Sequence, residues 1–138
     1  MTAKPPEAQL RTDAHTGRRE TVLALLDAGV DPNATSGFDN TALLYAVMHG
    51  FSEIASILLA RGADPNIANG YGYSPLIMAV LHGNLPIAVE LLAYGALWTA
   101  MIKENDEVGP VGGTPLSIAN DLGHAEITEL LVKAGATY

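Results

Sequence analysis

The chain has 138 residues and no cysteine, and its 7 basic and 15 acidic residues give a formal net charge of −8. Hydrophobic residues make up 49% of the chain and charged residues 16%, a balance that excludes intrinsic disorder and allows a single domain, 1–138, with a buried core. The missing cysteine excludes disulfides, thiolate metal ligands and a cysteine nucleophile. The mean hydropathy is +0.21, yet no apolar run reaches the ~20 residues that a membrane-spanning helix needs.

Charge is distributed unevenly along the chain. Residues 1–19 hold four basic and two acidic side chains, whereas residues 20–138 hold three basic and thirteen acidic ones. Such an acidic surface repels phosphate backbones, so we expect no nucleic-acid binding, and it attracts a basic partner surface. The alternative that the charge only maintains solubility stays open. Because residues 1–14 lack the apolar segment of a signal peptide, we expect a cytoplasmic protein without a membrane segment.

The glycines recur with a fixed period. In each of two series, three glycines are 33 residues apart and a fourth follows after 40, and three hydroxyl residues show the same spacing. The members are Gly17, Gly50, Gly83 and Gly123; Gly29, Gly62, Gly95 and Gly135; and Thr41, Ser74 and Thr114. A shared period with one seven-residue insertion predicts four stacked repeats, approximately 5–34, 35–67, 68–100 and 101–138.

Each repeat is predicted to form two helices joined by a tight turn. The first repeat lacks a helix-start motif, and its Arg11, Arg18 and Arg19 suit the solvated face of an end repeat. The second repeat carries an apolar stripe of isoleucine and leucine in its second helix, which ends at Gly62.

The third and fourth repeats have the clearest helix starts. Ser74-Pro75 and Thr114-Pro115 each place a capping hydroxyl before a proline at the first helical position. Asn84 is predicted to cap the second helix of the third repeat, and Gly95 to end it in a left-handed conformation. Between repeats, Asp-Pro-Asn strings predict tight, β-hairpin-like connectors.

These strings resemble ankyrin repeats. Residues 41–50 (TALLYAVMHG), 74–83 (SPLIMAVLHG) and 114–123 (TPLSIANDLG) are similar to the family's TPLHxA helix start and central glycine, although none keeps the histidine. The ends of the second helices match as well, at residues 25–33, 58–66, 91–96 and 130–136. The resemblance covers about residues 8–138. It implies an all-α ankyrin-repeat solenoid of helix–turn–helix units joined by β-hairpin-like loops, which binds a protein through its concave face and hairpin tips.

No motif predicts catalysis or a cofactor. The chain has no G-x-S-x-G, no phosphate-binding loop and no His-Glu-x-x-His. His49 and His82 are one repeat apart, and equivalent positions in a stack lie on the order of 10 Å from each other, too far for a shared metal ion. His15 lies one place earlier in its own repeat. We therefore expect no catalytic residue, no metal site, no cofactor and no enzymatic activity.

The ends of the first helices and the connector tips form the predicted partner-binding surface. Apolar and aromatic side chains that recur on one solvent-facing strip are typical of an interaction patch. The candidate residues are Phe38, Asn40, Met48, His49, Tyr71, Tyr73, Leu81 and His82. In the alternative interpretation Met48 and Leu81 pack between neighbouring repeats and Tyr73 packs along the adjacent hairpin, and we interpret Tyr45 and Met78 as core residues.

The resulting hypothesis is a monomeric protein–protein interaction scaffold. Two alternatives remain, namely an accessory or immunity-like subunit that regulates one enzyme, and a groove that binds a small molecule or a metal ion.

The extended connector, 97–113, differs most from the family pattern. We expect it to form a finger that anchors a partner through Trp98 and Ile102 and selects its charge through Glu104, Asp106 and Glu107. In the alternative interpretation Trp98 and Met101 cover the exposed side of the third repeat, and we expect the tip to be mobile. The three acidic residues lack the twelve-residue pattern of a calcium loop.

Deletion of residues 103–109 tests the finger hypothesis. We expect a melting temperature within a few degrees of the parent value, because long surface loops contribute little to stability, together with weaker partner binding. Thermal unfolding and an affinity measurement with a validated partner check the two parts, and unchanged affinity would contradict the hypothesis.

Overall fold

The structure is a computed structural model that describes residues 4–99 and 113–136. Within these residues the chain forms eight α-helices and no β-strand. The helices are α1 (Pro6–Thr16), α2 (Arg19–Asp27), α3 (Ala42–Met48), α4 (Ser52–Ala60), α5 (Pro75–Leu81), α6 (Leu85–Ala93), α7 (Pro115–Asp121) and α8 (Ala125–Lys133). The predicted all-α repeat fold is confirmed. None of the described helices is long and apolar enough to cross a membrane.

The helices stack in two rows. In the inner row α1, α3, α5 and α7 each pack against the next, and α2, α4, α6 and α8 do the same in the outer row. Every residue of α5 except Leu81 is buried, because α3, α7 and α6 cover it from three sides. A helix surrounded in this way needs no polar face, and this explains the almost uninterrupted apolar sequence of α3 and α5.

Side-chain caps begin the last three inner helices. The Oγ1 of Thr41 and the Oγ of Ser74 each accept a hydrogen bond at 3.1 Å from the backbone N–H three residues later, and Thr114 does so at 3.2 Å. A cap of this kind stabilises a helix by about 1 kcal/mol. Asn84 caps α6 in the same manner at 3.1 Å, as predicted. Pro5, before α1, provides no side-chain cap, as the degenerate motif of the first repeat indicates.

The central glycines serve stacking as well as helix termination. Gly83 has a φ of +64°, and a Cβ at this position would lie 2.8 Å from Cε1 of His124 in the next repeat. Phe51 covers Gly17 similarly, with its ring 3.0 Å from the corresponding Cβ position. A side chain at either glycine would strain the backbone and force the neighbouring ring to move, so these two glycines reflect close contact between repeats.

Loops 36–40 and 69–73 are hairpin-like, and backbone hydrogen bonds close them without a strand ladder. In loop 36–40 the N–H of Ser36 donates to the carbonyl of Asn40 at 3.0 Å, and in loop 69–73 the N–H of Asn69 donates to the carbonyl of Tyr73 at 3.1 Å. The fourth residue of each loop has a positive φ, which is 61° in the first loop and 85° in the second. The two loops are therefore equivalent, one repeat apart.

Two asparagines fasten neighbouring repeats together. The Nδ2 of Asn33 donates to the carbonyl of Gly62 at 3.1 Å, and its Oδ1 accepts from the N–H of Asp64 at 2.7 Å. Asn66 repeats this pair of bonds one repeat later, at 3.1 and 2.8 Å. The sequence indicates only a turn at these positions, whereas the structure shows that each amide bridges one connector to the next.

The Asn66→Ala variant tests this bridge. We expect it to lower the free energy of unfolding by about 1–3 kcal/mol, because two inter-repeat hydrogen bonds of about 0.5–1.5 kcal/mol each are lost. Urea denaturation monitored by circular dichroism measures the change. Asn120→Ala is the matched control, since that exposed amide makes no hydrogen bond with the described residues. Equal stability of both variants would contradict the assignment.

Candidate functional site

Loops 36–40 and 69–73 and the inner helices α3 and α5 form an open groove of about 310 Å³, which we call the aromatic groove. It is lined by Phe38, Asn40, Met48, Asn69, Tyr71, Tyr73 and Met78. The structure thus brings together five of the residues that the sequence predicts for partner binding. Asn69 and Met78 complete the lining.

The rings of Phe38 and Tyr71 stack at the edge of the aromatic groove. Their centroids are 6.3 Å apart, with an angle of 19° between the ring planes. Phe38 is 64% exposed and Tyr71 is 50% exposed, although both are large aromatic side chains. The two residues occupy equivalent positions one repeat apart, so the stacking of the repeats is what brings their rings together.

Asn69 holds the second loop in shape. Its side chain is buried, and its Oδ1 accepts hydrogen bonds from the backbone N–H of Tyr71 at 3.0 Å and of Tyr73 at 3.1 Å. Its Nδ2 donates to Oδ1 of Asn40 in the preceding loop at 3.1 Å. This residue was missed from the sequence, although the 33-residue register places it opposite Ser36, which closes the equivalent loop. The ring of Tyr71 is therefore presented on a loop that is already ordered.

Several other candidates are partly packed against the core. Met48, Tyr73, Leu81 and Trp98 are half-buried and contact the hydrophobic core, as the alternative interpretation of Met48 and Leu81 expects. Met48 and Tyr73 nevertheless line the aromatic groove, whereas Leu81 and Trp98 do not.

The two predicted core residues differ in burial. Met78 is buried, and it also lines the aromatic groove, a role that the sequence does not indicate. Tyr45 is half-buried and packs against the core from the side. The remaining predicted residues of the connector, Ile102, Glu104, Asp106 and Glu107, lie outside the described residues.

Three histidines lie at the C-terminal ends of α1, α3 and α5, namely His15, His49 and His82. We call them the histidine row. The ring centroids of His15 and His49 are 4.3 Å apart, and the ring of His15 also meets that of Tyr45 at 5.3 Å. The expected spacing of about 10 Å concerned the equivalent positions of His49 and His82, and the close approach of His15 to His49 was not predicted. His15 stands one place earlier on its helix, and its ring leans across the gap between α1 and α3.

Proximity within the row affects protonation. Burial lowers the pKa of His49 below its usual value of 6.5, and the like charges of His15 and His82 lower it further. Within residues 4–99 and 113–136, no three side chains of histidine, aspartate or glutamate come together in a way that could hold a metal ion. When protonated, His49 is therefore repelled by the charges of His15 and His82.

The His15→Gln variant tests the coupling within the histidine row. It removes a like charge beside His49 and should raise the pKa of His49 toward 6.5 without reaching it, because the effect of burial remains. NMR titration of the imidazole C–H signals measures the change. His124→Gln serves as the control. An equal pKa of His49 in the two variants would show that His15 has no electrostatic effect on His49.

Comparison with known proteins places the fold in a family. The family model for ankyrin repeats, which spans three copies, matches residues 12–102, and no curated protein matches the chain. The matched residues cover more than half of the chain, and the stacked helix pairs and tight connectors agree with the match. The chain belongs to the ankyrin repeat family.

Proposed function

We propose that this chain is a protein-binding module whose aromatic groove receives an apolar side chain of a partner protein. Ankyrin repeats are generally protein–protein interaction modules. The observation that carries the proposal is the stacked pair of Phe38 and Tyr71, which stands exposed beside a groove. Large aromatic side chains in such a position supply much of the binding energy in protein interfaces.

The exposed area of the two rings supports this proposal. An aromatic side chain buries about 150–250 Å² when fully covered, and roughly half of each ring remains accessible here. At about 25 cal/mol per Å², covering this area contributes about 2–3 kcal/mol per ring as an upper estimate. Because Asn69 already orders the second loop, little additional entropy is lost when Tyr71 is covered.

The aromatic groove also has polar groups at its edge. Asn40 accepts a hydrogen bond from Asn69 through Oδ1, while its Nδ2 donates to no group of the described residues. That donor suits a backbone carbonyl of the partner. A volume of about 310 Å³ is at the lower end of the range for ligand pockets, about 300–1,000 Å³. The groove therefore suits one or two side chains of a bound segment.

The charge of the chain bears on the choice of partner. A net charge of −8 accelerates association with a partner that presents a basic surface, and we propose such a partner. Ankyrin repeats are typically non-enzymatic, and the proposed role needs only binding by a monomer. Regulation of one bound enzyme is a special case of the same role, and the activity of a captured enzyme with and without this protein would identify it.

The double variant Phe38→Ala/Tyr71→Ala tests the proposed function. It should abolish or strongly reduce recovery of the specific partner in a pull-down from the source cell, quantified by mass spectrometry, because both aromatic anchors are removed. The matched control is Tyr94→Ala/Val132→Ala, which truncates two apolar side chains of comparable exposure, 46% and 56%, at the outer row. Thermal unfolding verifies that both variants are folded. Equal recovery by the two variants would contradict a role for the aromatic groove.

A further inference from the structure

A second pocket, which we call the basic pocket, lies beside the N-terminal helix and opens to solvent. Its volume is about 330 Å³. It is lined by Lys4, Ala8, Arg11, Thr12, His15, Ser36 and Tyr45. Its residues come from α1 and the segment before it, from loop 36–40 and from α3.

One face of α1 forms the wall of the basic pocket. Ala8, Thr12 and His15 follow each other at intervals of three or four residues, so they lie above one another on the helix, and Lys4 lies in the segment before it. Ala8 contributes only a small methyl group to this wall, and Nζ of Lys4 donates a hydrogen bond to Oγ1 of Thr12. Lys4 therefore places its positive charge beside Thr12, and the ring of His15 stands about one helical turn further along.

Positive charge is concentrated here in an otherwise acidic chain. Lys4 and Arg11 both line the basic pocket, and neither lies within 4.0 Å of a carboxylate of residues 4–99 and 113–136. By contrast, Arg19 pairs with a glutamate and Arg61 with an aspartate of neighbouring outer helices. No carboxylate lines the basic pocket. Two cations that line a cavity without a carboxylate partner make it suitable for an anion.

Hydroxyl groups complete the lining. The Oγ1 of Thr12 accepts a hydrogen bond from Nζ of Lys4 and donates to the carbonyl of Ala8 at 3.0 Å. The hydroxyl of Tyr45 lies 3.5 Å from Oγ of Ser36, which is long for a hydrogen bond between hydroxyls. These two hydroxyls are therefore only weakly engaged with each other and can turn toward a ligand oxygen.

The histidine row and the basic pocket share one residue. His15 belongs to both, and its charge contributes to the lowered pKa of His49. An anion in the basic pocket would offset this repulsion. The ring of His15 is also held by edge contacts with Tyr45 and His49, which fix its position at the end of the pocket.

We propose that the basic pocket binds a phosphate monoester. Lys4, Arg11 and protonated His15 provide charge-assisted hydrogen bonds to the phosphate oxygens, and the hydroxyls of Ser36 and Tyr45 provide further donors. A tetrahedral group with several oxygens uses more of these donors than a carboxylate does. The pocket is larger than a bare phosphate requires, and its open side leaves room for the group that carries the ester.

The experiment is an NMR titration of the full chain with three probes, namely inorganic phosphate, N-acetyl-phosphoserine amide and acetate. Ionic strength is held constant with chloride. We expect both phosphate probes to cause saturable shifts of the amide signals of Thr12, His15, Ser36 and Tyr45. Acetate should bind at least about tenfold more weakly, because it forms fewer charge-assisted hydrogen bonds. No protein partner is present, so this test and that of the aromatic groove can fail independently.

Matched variants show whether the basic pocket is responsible. Lys4→Gln/Arg11→Gln should weaken phosphate binding by about tenfold or more, because two charge-assisted hydrogen bonds are lost. Arg18→Gln/Arg19→Gln removes the same charge from exposed positions outside the pocket and should bind phosphate like the parent chain. Circular dichroism verifies that both variants are folded.

Three results would overturn the proposal. The first is the absence of saturable shifts with phosphate, and the second is an equal loss of binding, or equal retention, in the two double variants. The third is binding of inorganic phosphate without binding of N-acetyl-phosphoserine amide, which would exclude a monoester from the pocket.

Discussion

The structure depends on the fact that no helix pair can bury its own apolar surface. α5 illustrates this constraint, because its six buried residues are covered by α3, α6 and α7 together. Each neighbour must therefore approach closely, and the glycine at the end of α5 makes this possible. At Gly83 the ring of His124 from the next repeat occupies the space in which a Cβ would stand. The inner helices are thus buried only because neighbouring repeats stand close together.

The same register determines where functional side chains meet. Because the repeats stack with a fixed offset, residues 33 positions apart lie beside each other, and Phe38 therefore stacks on Tyr71. The bridging amide of Asn33 fixes the connectors that precede these loops, and Asn69 fixes the second loop from within. The hydrogen bonds of these side-chain amides hold the connectors and loops in place, so the surface is formed before a partner binds. An exposed aromatic pair on ordered loops loses little conformational entropy when a partner covers it.

Much of the fold could be predicted from the sequence, since its signals are local. Hydroxyl caps, prolines at the first helical position and glycines after the last turn each report on a few neighbouring residues, and the caps at Ser74 and Thr114 are found as predicted. The bridges of Asn33 and Asn66 were not predictable in the same way. They join residues 29 and 31 positions apart. The sequence around an asparagine in a turn does not indicate whether its side chain has such a distant partner.

The candidate site could be predicted only in part, for a related reason. The positions of Phe38 and Tyr71 follow from the repeat, but which side chains remain exposed depends on the packing of both neighbours. Met48 illustrates this, because it is half-buried against the core and yet lines the aromatic groove. The approach of His15 to His49 was missed, since helix spacing describes the distance between backbones while two long side chains close most of that gap.

The aromatic groove and the basic pocket share loop 36–40 but rely on different physical forces. Phe38 contributes apolar area, whose burial is nearly independent of salt, whereas Lys4 and Arg11 act through charge. The thirteen acidic residues of 20–138 are spread over the chain, and at physiological ionic strength a charge is screened beyond about 8 Å. The cations that line the basic pocket therefore act at short range inside it, whereas the net charge of −8 acts at long range. For this reason one acidic protein can bind a phosphate group in the basic pocket and also associate with a partner that has a basic surface.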